Sequence, residues 1–373
     1  MDCHVTHISL QNYKNYNRID VDFCPGVNAI LGLNGMGKTN LLDAIYYTCL
    51  GKSYFSSGDR LVLKQGEEFI RIKSQISVAD RKEKFVAKII PGKKKEISID
   101  GKKVERISDH IGRYPVTIVA PDDIQLLLEG SEPRRNFLNH NLIQYDVNYT
   151  NQLIKYNRLL KQRNALLKSF AERQVWNEEL LNAITEQMEE PAIYIHERRH
   201  ALVDELIPLF IDNYALISGK HESCAIKYKS SLNDATFTSI MNDSKEKDRV
   251  LQRTTAGVHK DDLTFIMNDQ LLKPFGSQGQ LKSFILSLKL AQYRILKDKS
   301  GKTPILLLDD VFDKLDHERV GHLLKILHDQ DYGQVFLTDK DEEDIPSVLE
   351  QISDDYAIFV IDEGALKYSS QTR

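Results

Sequence analysis

Residues 32–40 read GLNGMGKTN. The stretch matches G-x-x-x-x-G-K-[ST], with Gly32, Gly37, Lys38 and Thr39 at the defining positions. Before it, VNAILG is a short apolar run of the kind that forms a buried strand. After it, TNLLDAIYYTCL reads as a helix with Leu41, Leu42, Ile45 and Cys49 on one side. Strand, glycine loop and helix in that order are the context a phosphate-binding loop requires. Glycines let backbone N–H groups converge on one centre, and the helix N-terminus adds positive potential. The expected nucleotide loop is therefore Gly32, Leu33, Asn34, Gly35, Met36, Gly37, Lys38, Thr39 and Asn40. Lys38 has the reach for the β- and γ-phosphates of ATP, and the Thr39 hydroxyl can ligate Mg²⁺. A glycine-rich turn carrying a surface lysine is the plain alternative, and the flanking strand and helix weigh against it.

The chain has 373 residues, enough for two domains or for one domain with a large insertion. Its 41% hydrophobic and 28% charged content is that of an ordinary globular protein. A net charge of −4 makes no case for a nucleic-acid partner, so local charge must decide that. The four cysteines are scattered without a C-x-x-C pair. That argues against a zinc site or a disulfide framework and fits a reducing, cytoplasmic setting. The start MDCHVTHISLQNYKNY has no apolar h-region and no 18-residue apolar run follows, so neither signal peptide nor membrane span is expected.

Residues up to the Pro25-Gly26 turn alternate loosely, as strands do. Further strand-like runs follow the loop helix: EFIRIKSQISVA, EKFVAKII, and KEISIDGKKV with its Asp100-Gly101 hairpin signal. PVTIVAP at 115–121 is another buried-strand candidate. These pieces predict a β-rich lobe around a nucleotide. From residue 124 to about 215 apolar positions recur at spacings of three and four, which predicts two long helices joined near 171–176, with a break or kink at Pro191. CAIKYKS returns to strand character, and NDSKEKDRVLQR reads as a polar, mobile stretch.

PILLLDD at 304–310 is a buried strand ending in two aspartates, which is where Mg²⁺ on a bound nucleotide needs a carboxylate. Asp309 is the metal-side candidate, and Asp310 is placed to polarise the attacking water. Asp309 follows Lys38 by 271 residues, so a large element is inserted between the two halves of the site. Ahead of this strand, Ser277-Gln278-Gly279-Gln280 opens an amphipathic helix whose start can offer a hydroxyl and N–H groups to a phosphate. A chain that already owns a phosphate loop would use such a second helix end in trans, on a nucleotide held by another copy. A plain Ser/Gly helix cap is the alternative.

This order of motifs resembles the ATP-binding-cassette ATPases of DNA maintenance, the SMC-like class, and within it the RecF family. The residues that carry it are NYKNY near the start, GLNGMGKTNLLDAIYY, GKSY, PDDIQLLLEGSEPRRNFLNH, GVHKDDL, FGSQGQLKSFILSLKLAQ and LLLDDVFDKLD. The resemblance implies an α/β fold: an ABC-type P-loop ATPase head at 1–123 and 255–373, built from a β-rich lobe and a RecA-like core, with an inserted helical arm at 124–254. It places Ser277, Gly279 and Gln280 in the signature motif, Lys314-Leu315-Asp316 in the D-loop, and Lys14 beside the nucleotide. It implies an ATP-dependent homodimer that binds duplex and gapped DNA at single-strand/double-strand junctions, partners RecR and RecO, and a slow, DNA-stimulated ATPase acting in repair, replication and the SOS response. The chain departs from the family in Tyr13-Lys14-Asn15 for Phe-Arg-Asn, and in Gly257-Val258-His259-Lys260 for Gly-Pro-His-Arg. Asp310 stands where many cassette ATPases have Glu, and Thr338 where transporter cassettes have a switch histidine; both point to slow hydrolysis.

Two segments are basic enough to neutralise DNA phosphates. Residues 81–106 hold ten Lys/Arg against four Asp/Glu, including Lys93, Lys94 and Lys102. Residues 151–173 hold six against one, including Lys155, Arg158, Lys161 and Arg163. Each alone reads more readily as a solvated face, and the resemblance reverses that for the pair. Arg134 and Arg135 are expected at the junction of head and arm, where the resemblance implies coupling of nucleotide state to arm position and salt bridges are the plain alternative. His259 reads either as a neighbour of the γ-phosphate or, the favoured reading, as a satisfied core histidine. Two other functions remain on sequence grounds. An ABC subunit of a transporter shares the loop and signature but has a short helical insertion and a switch histidine. A P-loop small-molecule kinase needs an acceptor pocket and a lid, and has no use for the SQGQ helix.

Overall fold

Residues 3–22 fold into the hairpin β1 (Cys3–Tyr13) and β2 (Tyr16–Asp22), with side chains alternately buried and exposed. The computed structural model describes residues 2–79, 81–219, 222–312, 317–329, 332–340, 345, 349–350 and 355–371. They divide into two compact units. Met1–Asp123, Asp212–His221 and Ser277–Arg373 form the head; Ile124–Ile211 and Glu222–Gly276 form the arm.

In the head, VNAIL becomes β3 (Val27–Leu31), all five residues buried, and the glycine loop leads into α1 (Lys38–Leu50). Then come β4 (Ile70–Val78), β5 (Arg81–Ile89), β6 (Glu96–Ile99), β7 (Lys102–Lys103) and β8 (Val116–Val119). Asp100 and Gly101 both take positive φ, 50° and 77°, as the two-residue hairpin between β6 and β7 demands.

The arm contains α2 (Gln125–Leu128), α3 (Ser131–Leu142), α4 (Val147–Arg173) and α5 (Glu178–Ser218) as far as Ile211, the last turns of α5 from Asp212 belonging to the head. It continues through β9 (Cys224–Lys229), α6 (Phe237–Asp243), α7 (Lys245–Leu251), β10 (Asp262–Met267), β11 (Gln270–Leu271) and α8 (Leu272–Phe275). The chain then re-enters the head as α9 (Gln278–Ser300), β12 (Ile305–Leu308), α10 (His317–Asp329), β13 (Val335–Asp339), β14 (Tyr356–Asp362) and β15 (Ala365–Gln371).

The head has two sheets. One is antiparallel, in the order β2-β1-β4-β5-β6-β7. The other runs β15-β14-β3-β13-β12-β8 and is parallel except for its edge strand β15. Helix α1 packs against both, so 11 of its 13 residues are buried and the one-sided pattern expected for it gives way to burial all round. The other face of the parallel sheet (Val27, Ala29, Leu31, Leu306, Leu308) shares a core with Leu286 and Leu290 of α9 and Leu323 and Leu327 of α10. Coverage on both faces is why β3 and β12 are continuous apolar runs.

Three expectations change in the arm. Helix α5 passes through Pro191 and Pro208 without the break that is one of the two expectations at Pro191, and buried residues on both sides of each proline hold it. The stretch read as mobile holds the end of α6 and all of α7, anchored by Asp248, which is fully buried against Arg163. The return to the head falls after residue 276, not at 255, because β10 pairs with β9 residue for residue from Asp262↔Lys229 to Met267↔Cys224. Within the arm α4 and α5 lie antiparallel: Asp146 meets Arg198, Lys155 meets Glu190 and Arg163 meets Thr185.

Gln334, 1% exposed, ties the two head sheets together. Its amide accepts from Val5 N–H at 2.7 Å and donates to the carbonyls of Val5 and Cys24 at 2.7 and 2.8 Å. Replacing it by Leu leaves these buried backbone groups without partners, so Gln334→Leu is expected to lower stability by about 2–4 kcal/mol, read as a shift of the urea midpoint.

Candidate nucleotide-binding site

The loop between β3 and α1 is shaped by its neighbours as well as by its glycines. Gly32 has φ 141°, and a Cβ there would lie 2.2 Å from the Ile361 carbonyl oxygen on β14. Gly37 has φ 120°, with Asn15 and Tyr16 where its side chain would be. Asn15 donates to the Met36 carbonyl at 2.9 Å and accepts from Asn40 at 2.8 Å, while the Tyr16 hydroxyl donates to the Gly37 carbonyl at 2.9 Å. The Gly364 N–H, in the β14–β15 turn, also donates to the Met36 carbonyl. Lys38 is 4% exposed, and its ammonium donates to the carbonyls of Gly32 and Leu33 at 2.7 and 3.2 Å. Its charge is thereby held within the curl of the loop.

The acidic half arrives through sheet order. β13 lies between β3 and β12, so the ends of all three strands open on one side. The Thr39 hydroxyl donates to Asp309, 2.9 and 3.1 Å from its two carboxylate oxygens. Thr338, at the end of β13 and fully buried, donates to Asp309 Oδ1 at 2.9 Å and accepts from the Asp310 N–H at 2.9 Å. Asp310 takes φ 47°, a left-handed conformation uncommon outside glycine, and its Oδ1 lies 3.5 Å from the Thr338 hydroxyl. Burial pushes the Asp309 carboxyl up to about 6 and Asp310 adds to that, while the hydroxyl bonds and Lys38 pull the other way. A threonine hydroxyl and a carboxylate side by side form the hard oxygen set that Mg²⁺ prefers.

The family model for the RecF/RecN/SMC N terminal domain matches residues 4–353. The DNA replication and repair protein RecF of Flavobacterium johnsoniae is 41% identical over 356 residues, which is 95% of this chain and 99% of the relative. The chain belongs to the RecF family. A solved structure of the recombination mediator protein RecF with ATP, from the RecFOR pathway, matches with a TM-score of 0.88 at 28% identity, over 100% of this chain and 98% of that one. An Smc head domain from Pyrococcus furiosus, bound to the C-terminal domain of ScpA, matches with a TM-score of 0.58 at 15% identity over 99% and 96% of the two chains, which shows the shared fold. The head is thus the α/β, ABC-type ATPase fold that RecF and SMC heads have in common, and membership implies ATP hydrolysis.

In this RecF-family head the residues expected in the signature motif close on themselves. The Ser277 hydroxyl accepts from the Gln280 N–H at 3.3 Å, and the Gln280 side chain accepts from the Ser277 N–H at 2.8 Å, a complete capping box. Gly279 lets the Arg319 guanidinium lie against the first turn of α9, since a Cβ there would sit 2.2 Å from Nη1. Asp316 lies outside the described residues. Lys14, expected beside the nucleotide, is bonded to fully buried Asp43 at 2.7 Å, where Tyr13, Ser53 and the Tyr54 N–H also converge. Its neighbours Asn15 and Tyr16 are the residues of NYKNY that touch the loop. In NYKNY the charge of Lys14 is the conspicuous signal, but the amide of Asn15 and the phenol of Tyr16 make the contacts.

Of the DNA candidates, Lys93, Lys94, Lys102, Arg158 and Lys161 are exposed, and Lys155 pairs with Glu190 at 2.6 Å on the surface. Arg163 does not belong with them. It is 1% exposed, with its guanidinium on Asp248 at 2.6 Å and on the Thr254 and Thr185 hydroxyls. Arg134 pairs with Asp262, and Arg135 donates to Ser131 and to the Asp261 carbonyl, all within the arm. His259 is held by the Tyr156 hydroxyl and the Thr254 carbonyl, and burial lowers its pKa to about 4, as suits a neutral core histidine.

Two outcomes follow from the Asp309 cluster. Its carboxyl is raised from 3.8 to about 6, so ionising it costs folding energy that is absent below about pH 4, grows between pH 4 and 6, and is complete above. Asp309→Asn should therefore stabilise the ligand-free protein by roughly 3 kcal/mol at neutral pH and by little below pH 4, measured as urea midpoints across that range. Thr338→Val removes the hydroxyl shared by the two aspartates. ATP affinity should change little while single-turnover hydrolysis falls about 10- to 100-fold.

Proposed function

We propose that this protein is an ATP-gated DNA-binding clamp of recombinational repair. The observation that carries the reading is the joining of Thr39, Asp309 and Thr338 at the mouth of the glycine loop, in a head whose α9 begins with an exposed Ser277. Residues 32–40 would wrap the phosphates with backbone N–H groups, and Lys38 would swing from its carbonyl partners to the β- and γ-oxygens. Thr39 and Asp309 would hold Mg²⁺, which supplies charge neutralisation on the phosphates. Asp310, held through its N–H by Thr338, is the group that orients the attacking water. The start of α9 would meet the phosphates of a nucleotide bound by a second copy, so that two nucleotides are sandwiched between two heads. ATP then acts as an interfacial ligand that shifts a monomer–dimer equilibrium, and hydrolysis releases it.

Names among the relatives support the setting: RecF proteins of DNA replication and repair, and a recombination mediator in the RecFOR pathway. On that footing the dimer binds duplex and gapped DNA at single-strand/double-strand junctions and works with RecR and RecO to load recombinase, as a slow, DNA-stimulated ATPase in the cytoplasm. Position 338 is Thr rather than the transporter histidine, and the helical insertion is long, so the transporter reading has less support.

Sedimentation of wild type and Ser277→Arg with ATP and Mg²⁺, each with and without a fluorescent gapped duplex, tests the clamp. ATP should dimerise only the wild type and tighten its DNA binding. Binding of ATP with no change of mass or DNA affinity would sink the sandwich and reopen the kinase reading.

A further inference from the structure

The antiparallel sheet of the head turns one face to its core and the other to solvent, and strand register sorts its charges onto the outer face. Gln11 pairs with Arg18 on β2 and with Arg71 on β4, and Arg71 pairs with Lys88 on β5. One row across five strands therefore reads Arg18–Gln11–Arg71–Lys88–Glu96, with the acid at its far end. The next row on that face is Asp20–Ser9–Lys73–Val86–Ser98–Lys103, and the third is Asp22–His7–Gln75–Lys84. Among the described residues Arg71, Lys73, Lys84 and Lys88 have no ion-pair partner. Arg18 pairs with Asp20 at 3.2 Å but is 78% exposed, and His7 occupies Asp22. Two shallow cavities, about 160 and 220 Å³, open on this face, and Ser9, Arg18 and Lys73 line both. The opposite parity, Leu10, Ile72 and Ala87, is fully buried and holds the strands in place.

We infer that this outer face, centred on Arg18, Arg71, Lys73 and Lys88, binds the phosphate backbone of duplex DNA; the inference rests on the DNA-binding reading above. Three steps of about 4.8 Å carry the row from β2 to β5 across roughly 14 Å, the axial length of about four phosphates on one DNA strand. Ser9, Gln11, Gln75 and Ser98 lie between the cations and can donate to phosphate oxygens. A protein partner would look for an apolar or aromatic centre, and the only apolar residue in these rows is the half-buried Val86. Nucleic-acid interfaces are polar and predominantly cationic, and on this face Arg18, Arg71, Lys73, Lys84, Lys88 and Lys103 outnumber Asp20, Asp22 and Glu96. Of the hairpin lysines, register puts Lys103 on the face and sets Lys102 opposite Ile99, on the inward parity.

The experiment compares duplex-DNA anisotropy, with ATP and Mg²⁺ over a salt series, for wild type, Arg71→Gln/Lys73→Gln/Lys88→Gln, and Lys155→Gln/Arg158→Gln/Lys161→Gln. The sheet variant should bind roughly tenfold or more weakly near physiological salt, and its log K against log salt slope should fall by about 3. Its ATP-dependent sedimentation should match wild type, which controls for folding. Lysine acetylation read by mass spectrometry should show Lys73, Lys84 and Lys88 of the wild type protected by duplex. A sheet variant with wild-type slope and affinity, beside a wild type that binds, overturns this inference alone. A wild type that does not bind DNA at all overturns the clamp reading and this face with it. Protection by a polyglutamate peptide and not by duplex would assign the face to an acidic protein and overturn the proposal.

Discussion

The Thr39 and Thr338 hydroxyls both donate to one buried carboxylate, Asp309, and the architecture of the head serves that contact. A carboxylate that is 3% exposed is costly to ionise, and only fixed donors or a cation make it tolerable. The parallel sheet provides the donors. Its order places β13 between the glycine-loop strand and the aspartate strand, so groups 270 residues apart in sequence meet across two strand spacings. The sheet in turn depends on being covered on both faces, by α1 and by α9 with α10. Helix α1 is therefore both a phosphate-binding N-terminus and the filling between two sheets, which leaves its sequence little freedom.

Charge in the arm is handled differently. Arg163 with Asp248, and Arg199 with Asp261, are buried pairs whose remaining donors are satisfied by Thr254, Thr185, Tyr149 and the Val258 carbonyl. Such pairs add little net stability over apolar packing, because desolvation cancels most of the attraction. Their geometry is demanding, however. Arg163 joins α4 to α7 and Arg199 joins α5 to the segment before β10, so they specify which arm elements meet. The same pairs take cations out of the surface inventory, and composition along a helix does not reveal that loss.

An overall charge of −4 said little about partners, and local counts said more, yet neither identified the cationic face. Arg18, Arg71 and Lys73 lie outside the segment that a window count singled out, and they share a face with Lys84 and Lys88 only because the strands pair in one register. A slip of one residue would turn them into the core.

The sequence by itself determined the elements whose signal is local. The glycine loop, its strand and helix, the LLLDD strand, the Asp100-Gly101 hairpin and the α4–α5 pair were legible because backbone conformation and periodicity are short-range properties. So was the SQGQ start of α9, whose capping box closes within four residues. Only the tertiary structure decided what Thr338 touches, that Asn15 and Tyr16 rather than Lys14 grip the loop, and that Arg163 is buried. It also moved residues 255–276 into the arm by pairing β10 with β9. In each case the deciding partner is remote in the chain, and its contact is made by sheet order or burial, which no local window of residues encodes.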